Sequence, residues 1–413
     1  MLSRCERSLA PSQEMRRYHI PGRIEVLGKH TDYAGGRSMV AATENGFIMT
    51  ASGRSDRLMR VTNADKDESI EFEIDPELQP IKGSWANYPM TVARRAARNF
   101  PTGIRGVDIA ISSDLPAAAG LSSSSALMIA IFIALADANA LWVREEFRRN
   151  INSIEDLGGY LGTIENGQTF GDLVGDRGVG TFGGSQDHTA ILGAEPDRLK
   201  VYSYCPVRLE QTIDLPPQWM FVVASSGVVA EKTGSAMEKY NLASQRVGSI
   251  LDIWRHNTGR SDATLCAAIR SSPQAREKLC DMLATQDLID RFDQFIEESE
   301  QIVPAAARAI AKSDRQTLGV LVDRSQHLTE NLLKNQTPQT SLLAHSARQL
   351  GAIAASAFGA GFGGSVWALI ETTRAQEYLS RWRKQYHEQM PEFSQLAVFF
   401  TTRPGAAACR IVD

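Results

Sequence analysis

Residues 115–134, LPAAAGLSSSSALMIAIFIA, most constrain what this 413-residue chain can fold into. A proline, a run of small residues and four consecutive serines lead straight into an apolar helical pattern. Such a pattern predicts a loop feeding the N-terminus of a buried helix. Helix N-termini present unpaired N–H groups and a partial positive charge, and small residues let an anion reach the backbone. The hydroxyls of residues 122–125 add donors for phosphate oxygens or ligands for a metal. On these residues alone two readings stand: an anion cradle, or a serine-capped core helix packed closely through its small side chains.

The chain exceeds the roughly 250 to 300 residues at which single cores stop growing, so two domains are expected. The Pro216-Pro217 pair and a composition change near residue 205 set the divisions: a flexible leader at 1–17, an N-terminal domain at 18–205 and a C-terminal domain at 206–413. The net charge of −4 and the scattered basic residues give no electrostatic footprint for nucleic acid or a membrane surface. A small-molecule substrate is favoured over a polyanion. Five cysteines without a CxxC pair argue against a disulfide framework and a zinc site, which fits a reducing cytoplasm. No charge-free apolar run reaches the roughly 18 residues of a membrane span.

In chain order, PGRIEVLGKHTDYAGG sets Arg23, Lys29, His30 and Asp32 in or beside a glycine-rich loop between strands. Short alternating runs over 47–75 predict antiparallel strands, and 85–100 a helix with a solvated basic face. GVDIAISSDLP is a strand entering the serine loop, and a further helix over 144–166 ends at Glu165. Six glycines within 171–184 imply close backbone approach or mobility and deliver Asp187 ahead of an apolar run. Beyond Pro217 come a buried strand, WMFVVASSGVV, and a long helix over 231–256 carrying Tyr240. An almost wholly helical stretch over 262–357 is broken near 271–273, 301–304 and 336–338. Residues 350–370 pass from helix through a flexible GAGFGG turn into a strand, and final strands fall at 393–402 and 407–412.

Three segments, PGRIEVLGKHTDYAGG, LPAAAGLSSSSA and FGAGFGGSVWAL, occur in that order. Together they resemble the three motifs of the GHMP small-molecule kinases, in particular the galactokinase branch, whose signature runs G-R-x-N-L-I-G-E-H-T-D-Y-N-G-G. Gly22, Arg23, Gly28, His30, Thr31, Asp32, Tyr33, Gly35 and Gly36 fit it. The resemblance implies an α+β protein of two domains, an N-terminal ribosomal-protein-S5-like α/β domain and a C-terminal ferredoxin-like α+β domain with extra helices. The active site would lie in the cleft between them. The implied activity is ATP-dependent, Mg²⁺-assisted phosphorylation of the anomeric C1 hydroxyl of a monosaccharide.

Phosphoryl transfer needs neutralised phosphate charge and a positioned acceptor hydroxyl, because the transition state is loose and its charge spreads over oxygens. By the resemblance, Gly120, Leu121, Ser122, Ser123 and Ser124 wrap the ATP phosphates, with Gly361 and Gly363 closing over them. Ser124 and Glu165 would ligate Mg²⁺, a hard cation suited to oxygen donors. Asp187 would stand beside the anomeric hydroxyl with Arg23 next to it. A carboxylate beside a guanidinium is held ionised and is a weak base, so orientation outweighs proton removal. His30, Asp32, the backbone at Gly184 and Tyr240 would bind sugar hydroxyls.

Lys29 departs from the pattern, standing where the signature has Glu. An ammonium there suits the carboxylate of a uronic acid such as galacturonate; it can equally pair with Glu25 or face solvent. A different class, a sensor that binds sugar and ATP without turnover, shares the fold. Arg23, Asp187, Glu165 and a complete serine loop favour catalysis. The oligomeric state stays open, with a monomer compatible.

Overall fold

The computed structural model describes residues 15–116, 120–228 and 234–412, together with Met1 and Cys5. Most of the expected leader lies outside the described residues, and its last two already belong to the first strand, β1 (Arg16–Leu27). That strand pairs antiparallel with β2 (Arg37–Gly53), with register shifts at Pro21/Arg23 and at Glu25/Leu27. Such shifts bend a strand and re-aim the side chains around them.

β3 (Leu58–Asn63) and β4 (Glu68–Glu73) follow as a hairpin, then helix α1 (Asn87–Asn99) and β5 (Val107–Ser113). β3 lies parallel to β5, not antiparallel, because α1 supplies the crossover that a parallel pair requires. The basic face of α1 is solvated only at Arg98; Arg94 is 4% and Arg95 0% exposed. Arg94 Nε lies 2.8 Å from Asp176 Oδ2, so the helix uses its charge inside the protein.

Helix α2 (Ser123–Ala138) is apolar on every side and buries Met128, Ile129, Ile131, Phe132 and Leu135 completely. A helix with no polar face belongs in a core, and burying each large apolar side chain contributes roughly 1.5 to 3 kcal/mol. The helix expected over 144–166 is split. Ser153 caps α3 (Ile154–Asn166) by accepting from the Asp156 amide, which ends the preceding short helix at Asn150. After α4 (Gln186–Leu192), strands β6 (Arg198–Ser203) and β7 (Arg208–Asp214) extend the sheet from β2. The first sheet therefore runs past residue 205. Its main order is β12-β1-β2-β5-β3-β4, where β12 (Cys409–Ile411) is the last strand of the chain.

The second sheet is antiparallel, ordered β11-β8-β10-β9, from β8 (Trp219–Ser225), β9 (Ala354–Phe358), β10 (Ser365–Glu371) and β11 (Val398–Thr402). β9 precedes the GAGFGG turn, so the turn links two strands instead of a helix and a strand. Alternate residues of β8 and β10 enter different cores. Trp219, Phe221 and Trp367 join the large core that includes α2, while Val222, Ala224, Val366 and Ala368 form a second core with Tyr378 and Trp382.

The helical layer comprises α5 (Gly234–Thr258) and α6 (Gln286–Phe295), which build a third core, and α7 (Val303–Ala311) and α8 (Arg315–Leu328), which pack into the large one. No break occurs at 301–304. A π-helical segment, Ile296–Ile302, joins α6 to α7, and Pro304 stands in the first turn of α7, where a missing N–H is tolerated. Helices α9 (Pro338–Gln349) and α10 (Ala375–Gln389) cover the second sheet. No helix among the described residues is long and apolar enough to cross a membrane. All five cysteines are free thiols.

Candidate active site

The register shift at Pro21/Arg23 brings β1 against the serine loop, where the Arg23 amide donates to the Leu121 carbonyl at 3.2 Å. The Arg23 side chain, 4% exposed, donates from Nη1 to the Gly120 carbonyl at 2.6 Å and from Nε to Asp187 Oδ1 at 2.6 Å. Asp187 stands in the first turn of α4, the helix end that favours an acid. Its other oxygen, Oδ2, accepts from the Ser122 hydroxyl at 2.5 Å. Ser122 has φ 60° and, although it is the residue before α2, its side chain makes no cap to that helix. The serine-capped reading therefore fails: the hydroxyl that would have capped the helix is turned to Asp187.

Glu165, near the C-terminus of α3, is 4% exposed and accepts from the Thr181 hydroxyl at 3.0 Å and the Ser125 hydroxyl at 3.4 Å. Ser122, left-handed just before α2, and Ser125, in its first turn, both turn their hydroxyls to Asp187 Oδ2, and Ser125 also reaches Glu165. Ser124 projects from a different face of α2. The hydroxyl beside Glu165 is thus Ser125, where Ser124 was expected. His188 Nε2 lies 3.7 Å from Glu165 Oε2.

The glycine-rich loop after β1 presents His30, Asp32 and Tyr33 to a pocket also lined by Arg23, Glu25, Glu165, Gly183, Gly184, Gln186, Asp187, Tyr240, Gly359 and Ala360. His30, at φ 58°, bonds through Nδ1 to the Tyr33 hydroxyl at 2.9 Å and through Nε2 to the Ala360 carbonyl at 3.1 Å. The Gln186 amide donates to Asp32 Oδ2 at 3.2 Å, so this carboxyl seats α4 as well as facing the pocket. Burial pushes Asp32 up to about 6. Gly184 packs so tightly on Asp32 that a Cβ there would lie 2.4 Å from Oδ2. Tyr240 stands with its ring 5.5 Å from that of His30.

Lys29 does not join this group. Its side chain is 1% exposed and donates to the Ser325 hydroxyl at 2.9 Å, away from the pocket. The expected ammonium for a uronate carboxylate is therefore withdrawn into the helical layer. Three buried residues spaced along one helical face, Arg291, Gln294 and Glu298, hold the backbone of this loop. Arg291 Nη2 donates to the His30 carbonyl at 2.5 Å, Gln294 Nε2 to the Lys29 carbonyl at 3.0 Å, and the Gly28 amide donates to Glu298 Oε1 at 2.7 Å.

The GAGFGG turn meets the serine loop through its outer glycines. A Cβ on Gly359 would lie 3.2 Å from the Gly120 carbonyl oxygen, and one on Gly120 would lie 3.6 Å from Gly364 Cα. Gly361 and Gly363, expected to close over phosphates, pack so closely that a Cβ would meet Asn335 and Val228 respectively. Residues 171–184 are anchored rather than loose: besides the Arg94–Asp176 pair, Asn87 Nδ2 donates to the Val179 carbonyl and the Val179 amide donates to the Glu165 carbonyl.

Comparison with known proteins agrees with this geometry. Residues 12–53 match the galactokinase galactose-binding signature, 87–165 the GHMP kinases N terminal domain and 306–388 the GHMP kinases C terminal domain. The chain belongs to the GHMP kinases, in the galactokinase branch. This GHMP kinase is 28% identical over 367 residues to a galactokinase of Chloroflexus aggregans, covering 87% of the chain and 85% of that protein. It is 25% identical over 403 residues to a galactokinase of Roseiflexus sp., covering 95% and 92%. Its fold superposes on Lactococcus lactis galactokinase complexed with galactose, with a TM-score of 0.79 at 22% identity, covering 97% of this chain and 96% of that one. The two-domain GHMP architecture is thereby established.

Glu25, Thr181 and Gln186 were not anticipated in this kinase's site, and Ser125 only as one of the four hydroxyls of the serine loop. Glu25 carried a visible signal, an acid between Ile24 and Val26 on a buried strand. Thr181 carried none, since a threonine in a glycine-rich connection is ordinary. The Arg291, Gln294, Glu298 stripe was legible only as polar residues at helical spacing.

Proposed function

We propose that the protein phosphorylates the anomeric C1 hydroxyl of a neutral hexose, with ATP as donor. The observation that carries this reading is Asp187, whose carboxylate is held between Arg23 Nε and the Ser122 hydroxyl where the pocket meets the serine loop. Asp187 accepts a hydrogen bond from the acceptor hydroxyl and so orients it; as the C1 oxygen attacks the γ-phosphorus and the bond to ADP breaks, the hydroxyl proton leaves through this carboxylate or with the new phosphate ester, while Arg23 fixes the carboxylate's angle. The uncapped N-terminus of α2 and the backbone of Gly120 to Ser124 offer N–H groups to phosphate oxygens. Closure of Gly359 and Gly364 on that loop excludes water from the transfer.

The site also fits Mg²⁺. No cluster of three His, Cys, Asp or Glu among the described residues forms a cation cage by itself. Mg²⁺ is typically held by one or two carboxylates together with substrate phosphates. Glu165, with the Ser125 hydroxyl 3.4 Å away, supplies such oxygen donors, and the ion would neutralise phosphate charge. Glu25, Asp32, Glu165 and Asp187 line the pocket against one lining guanidinium, Arg23. That acidic surplus favours a neutral acceptor over a uronate.

The deciding experiment is ADP release from ATP over a panel of hexoses, their epimers and uronic acids. Turnover confined to neutral hexoses is expected, with phosphate at C1 of the product. Saturable sugar binding without any turnover would sink the kinase reading and leave a sensor.

A further inference from the structure

We propose that Glu25 is a specificity-determining residue of this kinase, its carboxyl taking a hydrogen bond from one hydroxyl of the acceptor sugar. The inference rests on the sugar-kinase reading above. Glu25 follows Ile24 in β1, at the register shift that ends at Leu27, and its side chain enters the wall of the acceptor pocket beside Arg23, Asp32, Gln186 and Asp187. It is 3% exposed, and Oε1 makes no hydrogen bond among the described residues.

Both cations within reach of its field are engaged elsewhere. Arg23 bonds Asp187 and the Gly120 carbonyl, and Lys29 bonds Ser325. A buried carboxyl oxygen left without a donor is costly, and a ligand that supplies the donor removes that cost. A sugar hydroxyl does so. An anionic acceptor would instead bring like charge toward Glu25, Asp32 and Asp187. The galactokinase motif has Asn where this chain has Glu25, and Glu where it has Lys29. In this chain the acid occupies the pocket-facing position and the cation the one that turns away.

Burial raises Glu25 to about 7, against the pull of Lys29, Arg23 and the Gln186 side chain and reinforced by Asp187. The carboxylate is the better acceptor, so sugar affinity rises with pH through that value. Asp32, at about 6, contributes a separate and lower step.

The test is steady-state kinetics of wild type, Glu25→Gln and Glu25→Asn on the best neutral hexose and its monodeoxy analogues. Glu25→Gln is expected to raise KM for the parent sugar by roughly 10- to 100-fold, the range of a hydrogen bond to a charged group. The loss should nearly vanish for the single analogue that lacks the hydroxyl Glu25 reads. Equal losses across all analogues, or wild-type KM in both variants, would overturn the proposal. Should Glu25→Gln fail to fold, Glu25→Asn carries the same comparison. Independently, wild-type KM for the parent sugar should fall as pH rises through about 7, a step the responsive deoxy analogue lacks; a flat profile counts against Glu25. A wild-type enzyme that turns over no sugar overturns the kinase reading instead.

Discussion

Arg23 and Asp187, separated by 164 positions in sequence, meet with Nε 2.6 Å from Oδ1, and the guanidinium they share with Gly120 fastens the first strand, the serine loop and helix α4 to one point. Charge-assisted hydrogen bonds of this kind gain geometric specificity as well as energy. Asp187 is thus positioned by contacts that exist before any substrate arrives.

Asp187→Asn keeps the shape and removes the charge. Phosphoryl transfer should fall by about 10² to 10⁴, the usual contribution of a positioned acid–base group, while sugar binding persists. Because Arg23 is then buried without its counter-ion, the melting temperature should drop too. Single-turnover kinetics and a thermal melt check both; near-normal turnover would remove Asp187 from its assigned role.

Glu25 links stability to pH. Its folded value of about 7 lies above the ordinary 4.5, so its stabilising contribution is complete below 4.5 and is lost as pH rises through about 7. Glu25→Gln removes that loss. The variant should gain on wild type as pH increases from about 5 to 8, by roughly 1 to 3 kcal/mol, measured by urea unfolding. A constant difference across that range would contradict the assignment.

Lys29→Glu tests the corrected role of Lys29. The change sets a second carboxylate near Glu298, whose Oε1 is 3.4 Å from the Lys29 amide and already accepts from Ser325. Breaking a buried charge arrangement this way costs about 3 to 5 kcal/mol. Stability should fall while the ranking of neutral hexoses over uronates stays as in wild type. A shift in that ranking would return Lys29 to the pocket.

Gly184→Ala places a Cβ within 2.4 Å of Asp32 Oδ2 and 2.9 Å of the Tyr33 amide. Overpacking of this kind costs roughly 1 to 3 kcal/mol, and here it displaces a pocket wall. KM for the sugar should rise more than KM for ATP. Equal changes in both would indicate general unfolding.

Asp176→Ala breaks the buried pair with Arg94, where the Asp176 side chain is 1% exposed. The loop at 171–184 should become sensitive to limited proteolysis at protein concentrations where wild type resists, with stability lower by about 3 to 5 kcal/mol.

How much of this was readable in the sequence differs by kind of residue. The serine loop, the signature around His30 and Asp32, and the isolated Glu165 and Asp187 were legible because each carries a chemical type at a motif position; Ser122, Ser125, His30, Asp32, Glu165 and Asp187 converge on one place, and Lys29 does not. Lys29 misled because a strand residue's direction depends on register, and β1 shifts register between Glu25 and Leu27. Which of the four adjacent hydroxyls reaches Glu165 depends on where the helix starts, and with α2 beginning at Ser123 it is Ser125. Arg94 and Arg95 read as solvated because no local pattern reveals that Asp176, 82 positions on, reaches Arg94. The π segment was hidden by Pro304, which reads as a break wherever a helix merely changes register.

β12 pairs with β1, Arg17 opposite Ile411, so the strand bearing Arg23 has one neighbour made immediately after it and another made from the end of the chain. During synthesis on the ribosome that flank of the sheet stays open until residues 409–411 have emerged. The Arg17–His19 edge of the strand is closed only by β12, so it is the last part of the Arg23 strand to gain its ladder.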